Sequence, residues 1–228
     1  MHYKNLGKIL IMIPARSGSK RVKNKNLRKI CGKPLISYSI ELAKKCFESD
    51  SIFVNSDSDE ILLIANKLGV QEYKRDSVLA SDEATGDDFT IDFLNSNDCE
   101  TLIMINPVCP LLKKDDILNA IESFNQSDCD TLISCISTQM QCFFEDEPVN
   151  IDIKQKLQQT QLNKPVKVLN WAITIWNSTS FKTMYKNLGY AYIGIRRNLF
   201  TIPALHGIKI STEDDFKFAE KVILLKES

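Results

Sequence analysis

Residues 8–26 read KILIMIPARSGSKRVKNKN, which combines an apolar run with the basic loop that follows it. The segment KILIMI (8–13) has the length of a strand and no polar position after Lys8, which is typical of a strand covered on both faces in a parallel sheet. Ligands of such sheets bind beyond the carboxyl ends of the strands. The loop after Ile13 therefore predicts an anion site, because its cations are Arg16, Lys20, Arg21, Lys23 and Lys25.

The rest of the chain alternates strand and helix patterns. Apolar residues at helical spacing predict a helix over 35–46, and residues 52–69 predict a strand (52–55) followed by a helix that ends at Gly69. Further strands are predicted at 101–107, 131–137 and 171–177, and further helices at 115–126 and from Ser211 onward. This alternation predicts an α/β fold with a mostly parallel sheet. Residues 138–170 lack a helical stripe and are expected to form an inserted excursion of hairpins.

Charge is distributed unevenly along the chain. The 228 residues carry 29 basic and 29 acidic side chains, yet the first 40 contain ten Lys or Arg and no acidic residue. A local basic block on an otherwise acidic chain favours an anion site, although a solvated charged face is the alternative. Zero net charge and few aromatic residues among the basic ones argue against a nucleic-acid partner.

The cysteines and the apolar runs indicate the compartment. Seven cysteines without a CxxC pair, together with no recognisable signal peptide, favour the cytoplasm. The apolar run 9–13 is too short to cross a membrane, so no membrane partner is expected. With two histidines in the chain, a zinc site is not expected.

The basic loop has the groups that a polyphosphate requires. Backbone amides of 17–19 are expected to form an anion-binding nest, and Ser19 adds a hydroxyl donor. Arg16 and Lys20 supply charge-assisted donors, which suits a triphosphate and the charge that develops during nucleotidyl transfer. No GxxxxGK[ST], GxGxxG or GxSxG motif occurs, so the common phosphate-binding and nucleophile motifs are absent.

A family resemblance covers nearly the whole sequence. The stretch IPARSGSKRVKNKNLRKICGKPLISYSIE (13–41) resembles the N-terminal signature of the CMP-sialic acid synthetases, the acylneuraminate cytidylyltransferases. The segments VNSDSDEI, KRDSVLASDEATGDD, INPVCPLL, LNWAITIW and ISTEDDFKFAE follow in the order of that family. The resemblance implies a Rossmann-like nucleotidyltransferase fold in one domain (1–228), with 138–170 as a dimerisation insertion and hence a homodimer.

The resemblance also implies the reaction and the site. CTP would react with a sialic, legionaminic or pseudaminic acid-like 2-keto sugar to give a CMP-sugar and pyrophosphate, assisted by Mg²⁺. Arg16 and Lys20 would be catalytic, and Asn106 and Asn170 would face the sugar. The positions that match the family's phosphate and nucleotide contacts are Arg16, Ser19, Lys20, Lys25, Asn26, Arg75, Ala84 and Gly86.

Three departures from the family pattern bear on activity. INPVCPLL (105–112) stands where the family reads QPTSPLR, and Trp171 replaces a glycine. KISTEDDF (209–216) replaces DIDTEEDF, whose first two aspartates hold the metal, so Lys209 and Ser211 stand in their places. A charged lysine cannot ligate Mg²⁺, and no metal ligand is assigned here.

Several interpretations of these departures remain open. Lys209 replaces one cationic function of the metal, or the protein binds CTP with little or no catalysis, or the acceptor is a different small acid. The acidic residues 213–215 are expected to complement a helix N-terminus. Asp57, followed by Glu60, is expected to cap a helix, with metal ligation as the weaker alternative.

Overall fold

A seven-stranded sheet forms the centre of the computed structural model, which describes residues 6–227; residues 1–5 and 228 lie outside the described residues. The strands are β1 (Ile9–Pro14), β2 (Lys29–Ile30), β3 (Lys33–Pro34), β4 (Ile52–Ser56), β5 (Gln71–Lys74), β6 (Thr101–Ile105), β7 (Thr131–Thr138), β8 (Phe143–Phe144), β9 (Glu147–Pro148), β10 (Val166–Asn177) and β11 (Arg197–Thr201). The α-helices are α1 (Leu35–Lys44), α2 (Asp59–Lys67), α3 (Gly86–Ser96), α4 (Lys114–Gln126), α5 (Ser178–Leu188) and α6 (Glu213–Glu227).

The direction of the strands places the loops. The central sheet has the order β11-β7-β10-β6-β1-β4-β5, and β10 pairs antiparallel with both of its neighbours. The other neighbouring pairs are parallel, so the predicted mostly parallel sheet is confirmed. The carboxyl ends of β1, β4, β5, β6, β7 and β11 therefore lie at one edge, called here the carboxyl edge.

Strand β1 is covered on both faces, as its sequence predicted. Ile11 and Ile13 belong to one hydrophobic cluster, which α1, α2, α4 and α6 complete. Leu10 and Met12 point the other way into a second cluster with Phe93 of α3 and Trp176 of β10. Because its side chains alternate between two cores, a run without polar positions is the sequence that this strand requires.

Several predicted boundaries differ from the structure. Strand β10 begins at Val166 instead of 171, because residues 166–169 already pair with the end of β7, before β10 reaches β6 at Ile173. Within the predicted excursion 138–170, β8 and β9 form one short hairpin, which confirms the expected hairpin character. Strand β6 ends at Ile105 instead of 107, and β5, α3, α5 and β11 were not predicted.

The expected capping role of Asp57 was wrong. Helix α2 is capped by Ser58, whose hydroxyl accepts a hydrogen bond from the Ile61 N–H. The Asp57 carboxylate turns instead toward the basic loop. The acidic residues 213–215 do lie in the first turn of α6, as expected. Asp215 accepts a hydrogen bond from the Thr212 N–H, and the Thr212 hydroxyl accepts one from the Asp215 N–H. Among the described residues, no helix has both the length and the apolar character of a membrane span.

Candidate active site

Five loops meet at the carboxyl edge of the sheet. Arg16 follows β1, Asp57 follows β4, Arg75 follows β5 and Asn106 follows β6. The segment 202–212 follows β11 and returns to this edge, where the Ile210 N–H donates to the Val108 carbonyl over 2.9 Å. Parallel strands thus bring together residues that are distant in sequence, at the place where ligands of such sheets bind.

The turn of the basic loop is fastened by Asp57. The Ser17 N–H and hydroxyl both donate to the Asp57 carboxylate, over 2.9 and 2.5 Å. The Ser19 N–H donates to the Ser17 carbonyl over 2.9 Å. The expected nest of three open amides was therefore wrong, since two of them already have acceptors. Gly18 faces open space, because a Cβ built there meets nothing within 4 Å.

Arg16 and Lys20 lie together in one cavity of about 340 Å³. Arg16 donates to the Ser81 carbonyl over 3.0 Å and pairs with Asp82 over 3.2 Å, and Lys20 pairs with the same carboxylate. The hydrogen bond from Lys20, together with the charge of Arg16, lowers the pKa of Asp82. A carboxylate of the protein thus occupies the position between two cations that an anionic ligand would take.

Lys25 and Asn26 connect this loop to its surroundings. The Lys25 ammonium donates to the Ile210 carbonyl over 2.9 Å. Burial, followed by the charges of Arg21, Lys209 and Arg16, lowers the pKa of Lys25. The Asn26 amide nitrogen donates to the Arg16 carbonyl over 3.3 Å, and the side chain is buried. Asn26 therefore shapes the loop from within, whereas Lys25 faces other cations.

Arg75 is a buried cation held by uncharged groups. Its Nε donates to the Asn55 side-chain oxygen over 2.6 Å, and Nη2 donates to the Asn55 carbonyl over 3.1 Å. The guanidinium carbon lies 4.3 Å from the centre of the Phe89 ring. Burial lowers the pKa of Arg75 to about 10, so the group remains charged at neutral pH. A buried charge of this kind is stabilised when an anion binds beside it.

Gly86 lies against Tyr192, a residue that the sequence did not point to. A Cβ on Gly86 would come within 2.6 Å of the tyrosine ring. Asp87 accepts a hydrogen bond from the Tyr192 N–H over 2.7 Å, and the ring lies 5.2 Å from that of Trp171. Ala84, half-buried, donates its N–H to the Ser81 hydroxyl over 3.3 Å. The predicted nucleotide position 86 thus adjoins an aromatic cluster, whereas Ala84 contacts Ser81.

The two asparagines predicted to face the sugar come from neighbouring strands. Asn106 donates its N–H to the Ala172 carbonyl, and its side-chain oxygen accepts from the Val108 N–H over 3.3 Å. The Asn170 side-chain oxygen accepts from the Ser134 hydroxyl over 2.7 Å, while its buried amide nitrogen has no partner among the described residues. The side-chain oxygens of both residues thus hold the local chain, and the Asn170 amide nitrogen is left without an acceptor.

Trp171 occupies the left-handed region of backbone conformation, with φ of 60°. The pairing of β10 with β7 is irregular between Leu169 and Thr174, so Trp171 lies in a bulge of the strand. Bulky side chains rarely adopt this conformation, which favours glycine. The bulge holds the indole ring beside Tyr192, next to the predicted acceptor side of the site.

The donor set at this edge does not fit Mg²⁺, which prefers carboxylate and other oxygen ligands in octahedral geometry. In the part of the chain that the structure describes, no group of three or more His, Cys, Asp or Glu side chains could hold a metal. Position 209 carries an exposed ammonium and position 211 a serine. The nearby carboxylates are engaged: Asp57 by Ser17, Asp82 by two cations and Asp215 by backbone N–H groups.

Three residues of the site carried little signal in the sequence. Asp57 and Asp82 lie in polar loops where acidic residues are ordinary, and Tyr192 follows a helix that was not predicted. The segments VNSDSDEI and KRDSVLASDEATGDD, which contain Asp57 and Asp82, were part of the family resemblance, and Asp57 was expected to act as a helix cap rather than as a partner of the basic loop. The structure identifies Tyr192 as a residue of the site through its contact with Gly86.

A mostly parallel sheet with a cationic loop and a buried arginine at its carboxyl edge is typical of a nucleotide-binding α/β enzyme. The cytidylyltransferase family model matches residues 10–203, and the chain belongs to this family. Post-translational flagellin modification protein B of Campylobacter coli is 32% identical over 240 residues, which cover 97% of each chain.

Two further comparisons extend this result. N-acylneuraminate cytidylyltransferase of Streptococcus agalactiae serotype V is 29% identical over 92% of the chain, which spans about half (52%) of that protein's length. A solved structure of CMP:2-keto-3-deoxy-manno-octonic acid synthetase complexed with CTP has a TM-score of 0.68 over 96% of the chain and 99% of its own, at 14% identity. At that identity the likeness shows the nucleotidyltransferase fold alone.

Proposed function

We propose that this protein transfers the cytidylyl group of CTP to the anomeric hydroxyl of an acidic 2-keto sugar. The hydroxyl oxygen attacks the α-phosphorus, and the bond from that phosphorus to the oxygen bridging to the β-phosphate breaks. Pyrophosphate leaves with the electron pair of that bond, and the hydroxyl proton passes to solvent. The observation that carries the proposal is the convergence of Arg16, Lys20, Lys25 and Arg75 at the carboxyl edge, within a chain of the cytidylyltransferase family.

Each predicted site residue has a role in this proposal. Arg16 and Lys20 leave Asp82 and neutralise charge on the triphosphate as it moves to the leaving group, with Ser19 and Lys25 as further donors. Asn26 holds the loop in position, and Arg75 binds the nucleotide. Ala84 and Gly86 lie beside the base and ribose, and Asn106 and Asn170 face the acceptor. Because the donor set does not fit Mg²⁺, side-chain cations carry the charge stabilisation in this scheme.

Release of pyrophosphate from CTP across a panel of acids tests the proposal. The panel contains N-acetylneuraminic, legionaminic and pseudaminic acids and 2-keto-3-deoxy-manno-octonic acid. We expect release with one of them, and a loss of about 100-fold in kcat for Lys20→Gln, because a charge-stabilising donor is removed. Lys29→Gln, an exposed lysine on β2, is the matched control. An unchanged rate in Lys20→Gln would contradict the role of this lysine.

A second candidate function follows from the donor set at positions 209 and 211. With Lys209 and Ser211 in place of carboxylates, the protein would bind CTP without transferring the cytidylyl group. Calorimetry separates the two functions: CTP binding without pyrophosphate release, on every acid of the panel, favours the binding protein. Release on any acid favours the transferase.

We also propose that the chain is one nucleotidyltransferase unit that forms a homodimer through residues 138–170. Seven large apolar residues of this segment are each more than half exposed to solvent: Met140, Phe143, Phe144, Val149, Ile153, Leu157 and Leu162. Exposed apolar surface of this extent favours association. Light scattering should give the mass of a dimer, and Phe143→Ser with Phe144→Ser should give a monomer. Leu63→Ser, at a similarly exposed position on α2, should leave the mass unchanged.

The same proposal places the reaction in the cytoplasm. Its nucleotide substrate, CTP, is a cytoplasmic metabolite, and Cys99, Cys109 and Cys135 are buried free thiols of the kind that a reducing compartment maintains. Fractionation of cells that produce the full chain should recover it with cytoplasmic markers, and recovery with the periplasmic fraction would contradict this placement.

A further inference from the structure

Lys25 lies among several other cations. Arg21, Lys209 and Arg16 all act on Lys25 through their charges. The Lys25 ammonium itself donates to a neutral group, the Ile210 carbonyl, over 2.9 Å. The basic loop and the segment 202–212 therefore present positive charge to the same space from two sides.

The neighbouring acidic groups offset only part of this charge. Asp82 pairs with Arg16 over 3.2 Å, and the charged Asp215 acts on Lys25 while it accepts hydrogen bonds from the Ser211 and Thr212 N–H groups over 2.9 and 2.8 Å. Cys109 lies close to Lys25 and Lys209, but burial raises the pKa of its thiol to about 12, so it carries no charge at neutral pH. Like charges that are only partly compensated raise the free energy of the empty site, and a bound polyanion lowers it.

The same charges disfavour a divalent cation. An Mg²⁺ ion in this space would meet ammonium and guanidinium groups where it needs carboxylate oxygens. A nucleoside triphosphate complexed with Mg²⁺ has lost two of its negative charges, so it gains less from these cations than the free triphosphate does. The electrostatic preference of the site is for the metal-free form.

We propose that Lys209, with Lys25 beside it, takes the place of a divalent cation, so that this site binds metal-free nucleoside triphosphate. The inference rests on the proposed function, because it concerns the form in which the same CTP binds. Lys25 is held by Ile210, so its ammonium is positioned before the ligand arrives. Lys209 is exposed and adjusts to the phosphates as a flexible point charge.

Calorimetric titration of CTP into the full chain, in EDTA and at saturating Mg²⁺, tests this inference. We expect binding in EDTA, and weaker binding by several-fold when Mg²⁺ converts CTP to its complex. Lys209→Ala should weaken binding in EDTA by about tenfold, the loss of one charge-assisted contact. Lys217→Ala, an exposed lysine on α6 outside the cluster, should bind CTP as the unsubstituted protein does.

A double substitution replaces positive charge with negative charge at positions 209 and 211. Lys209→Asp with Ser211→Asp replaces the ammonium with two carboxylates at positions that are not buried, so the fold should persist, which circular dichroism checks. Its CTP affinity should fall more than tenfold in EDTA and recover when Mg²⁺ is added. This variant would then show the metal dependence that the unsubstituted protein lacks.

The outcomes separate the inference from the proposed function. Binding of CTP by the unsubstituted protein in Mg²⁺ and not in EDTA would overturn the inference and leave the cytidylyltransferase proposal intact. No CTP binding by the folded protein in either buffer would overturn both. Equal affinity of Lys209→Ala and the unsubstituted protein in EDTA would also overturn the inference, since Lys209 would then contribute nothing.

Discussion

Gly86→Ala should destabilise the protein, because the first residue of α3 lies against an immobile ring. The added Cβ would lie 2.6, 2.7 and 2.9 Å from three carbons of Tyr192. The ring would have to withdraw by about 0.8 Å to bring the closest contact to the 3.4 Å at which ordinary contact begins. A clash with three atoms of one ring cannot be relieved by a small rotation of a flexible side chain.

Tyr192 is held on several sides. Its hydroxyl contacts the Met104 sulfur over 3.1 Å, its carbonyl accepts from the Trp176 indole over 2.9 Å and its N–H donates to Asp87. The Trp176 and Trp171 rings lie 5.0 and 5.2 Å from it. Overpacking of this kind costs about 1–3 kcal/mol. The loss of unfolded-state freedom on Gly→Ala returns about 0.4–1 kcal/mol, so we expect a net loss of about 1–2 kcal/mol.

Urea denaturation and thermal melting measure this loss. The melting temperature should fall by about 2–8 °C, given about 2–4 °C per kcal/mol for a chain of this size. Gly18→Ala is the matched control, since its Cβ meets nothing within 4 Å, and its stability should not fall. In a Tyr192→Ala background, Gly86→Ala should cost little, because the ring it strikes is absent. Equal stability of Gly86→Ala and the unsubstituted protein would refute the reasoning.

Three further substitutions test other parts of the structure. Trp171→Gly relieves a left-handed backbone worth about 1–2 kcal/mol and loses apolar area together with a ring contact to Tyr192 worth about 0.5–1.5 kcal/mol beyond that area. Because the two effects oppose each other, the unfolding free energy should fall by less than the roughly 3 kcal/mol of a buried tryptophan. The values of kcat/KM for the different acids of the panel should become more similar. Asp88→Asn breaks the capping box of α3 and should cost about 1 kcal/mol at pH 7. Hydrogen bonds lower the pKa of Asp88, so its contribution is present above the unfolded pKa and is lost as pH falls through the folded pKa; denaturation curves of the two proteins should then coincide in acid. Asp82→Asn frees two cations, and CTP affinity by calorimetry should rise by up to about fivefold, the range of an exposed ion pair; a fall would show that the carboxylate itself assists binding.

The strands that sequence patterns predicted are those buried along most of their length. Strands β1 and β6 are buried along their length, so continuous apolar runs identify them. Strands β5 and β11 lie at the two edges of the sheet and are half-exposed, and QEYK and RNLFT carry no such run. Helix α3 begins with GDD and has three buried residues, so its apolar stripe is too short to stand out. A hydrophobic pattern is detectable only where an element is buried, and few residues of β5, β11 and α3 are buried.

The site was predictable where one loop supplies it and not where contacts between loops do. Arg16 and Lys20 are close in sequence and share one cavity, as the basic block suggested. The Asp57 contact with Ser17 joins residues 40 positions apart, and Asp87 reaches Tyr192 across 105 positions. No local pattern encodes such pairs. The nest expected at 17–19 failed partly for this reason, because the acceptor of the Ser17 N–H is Asp57, in the loop after a different strand.

Two of the three departures from the family signature, at 105–112 and at 209–216, are physically connected, which indicates one altered region rather than scattered changes. Val108 accepts a hydrogen bond from the Ile210 N–H, so the segment 105–112 lies against the segment 209–216. Cys109 is buried beside Lys209, where a neutral thiol leaves the lysine charge uncompensated. Substitutions within one such contact network do not add independently. Restoring the family residues at 109 and at 209 together should therefore change CTP binding by an amount that differs from the sum of the single changes.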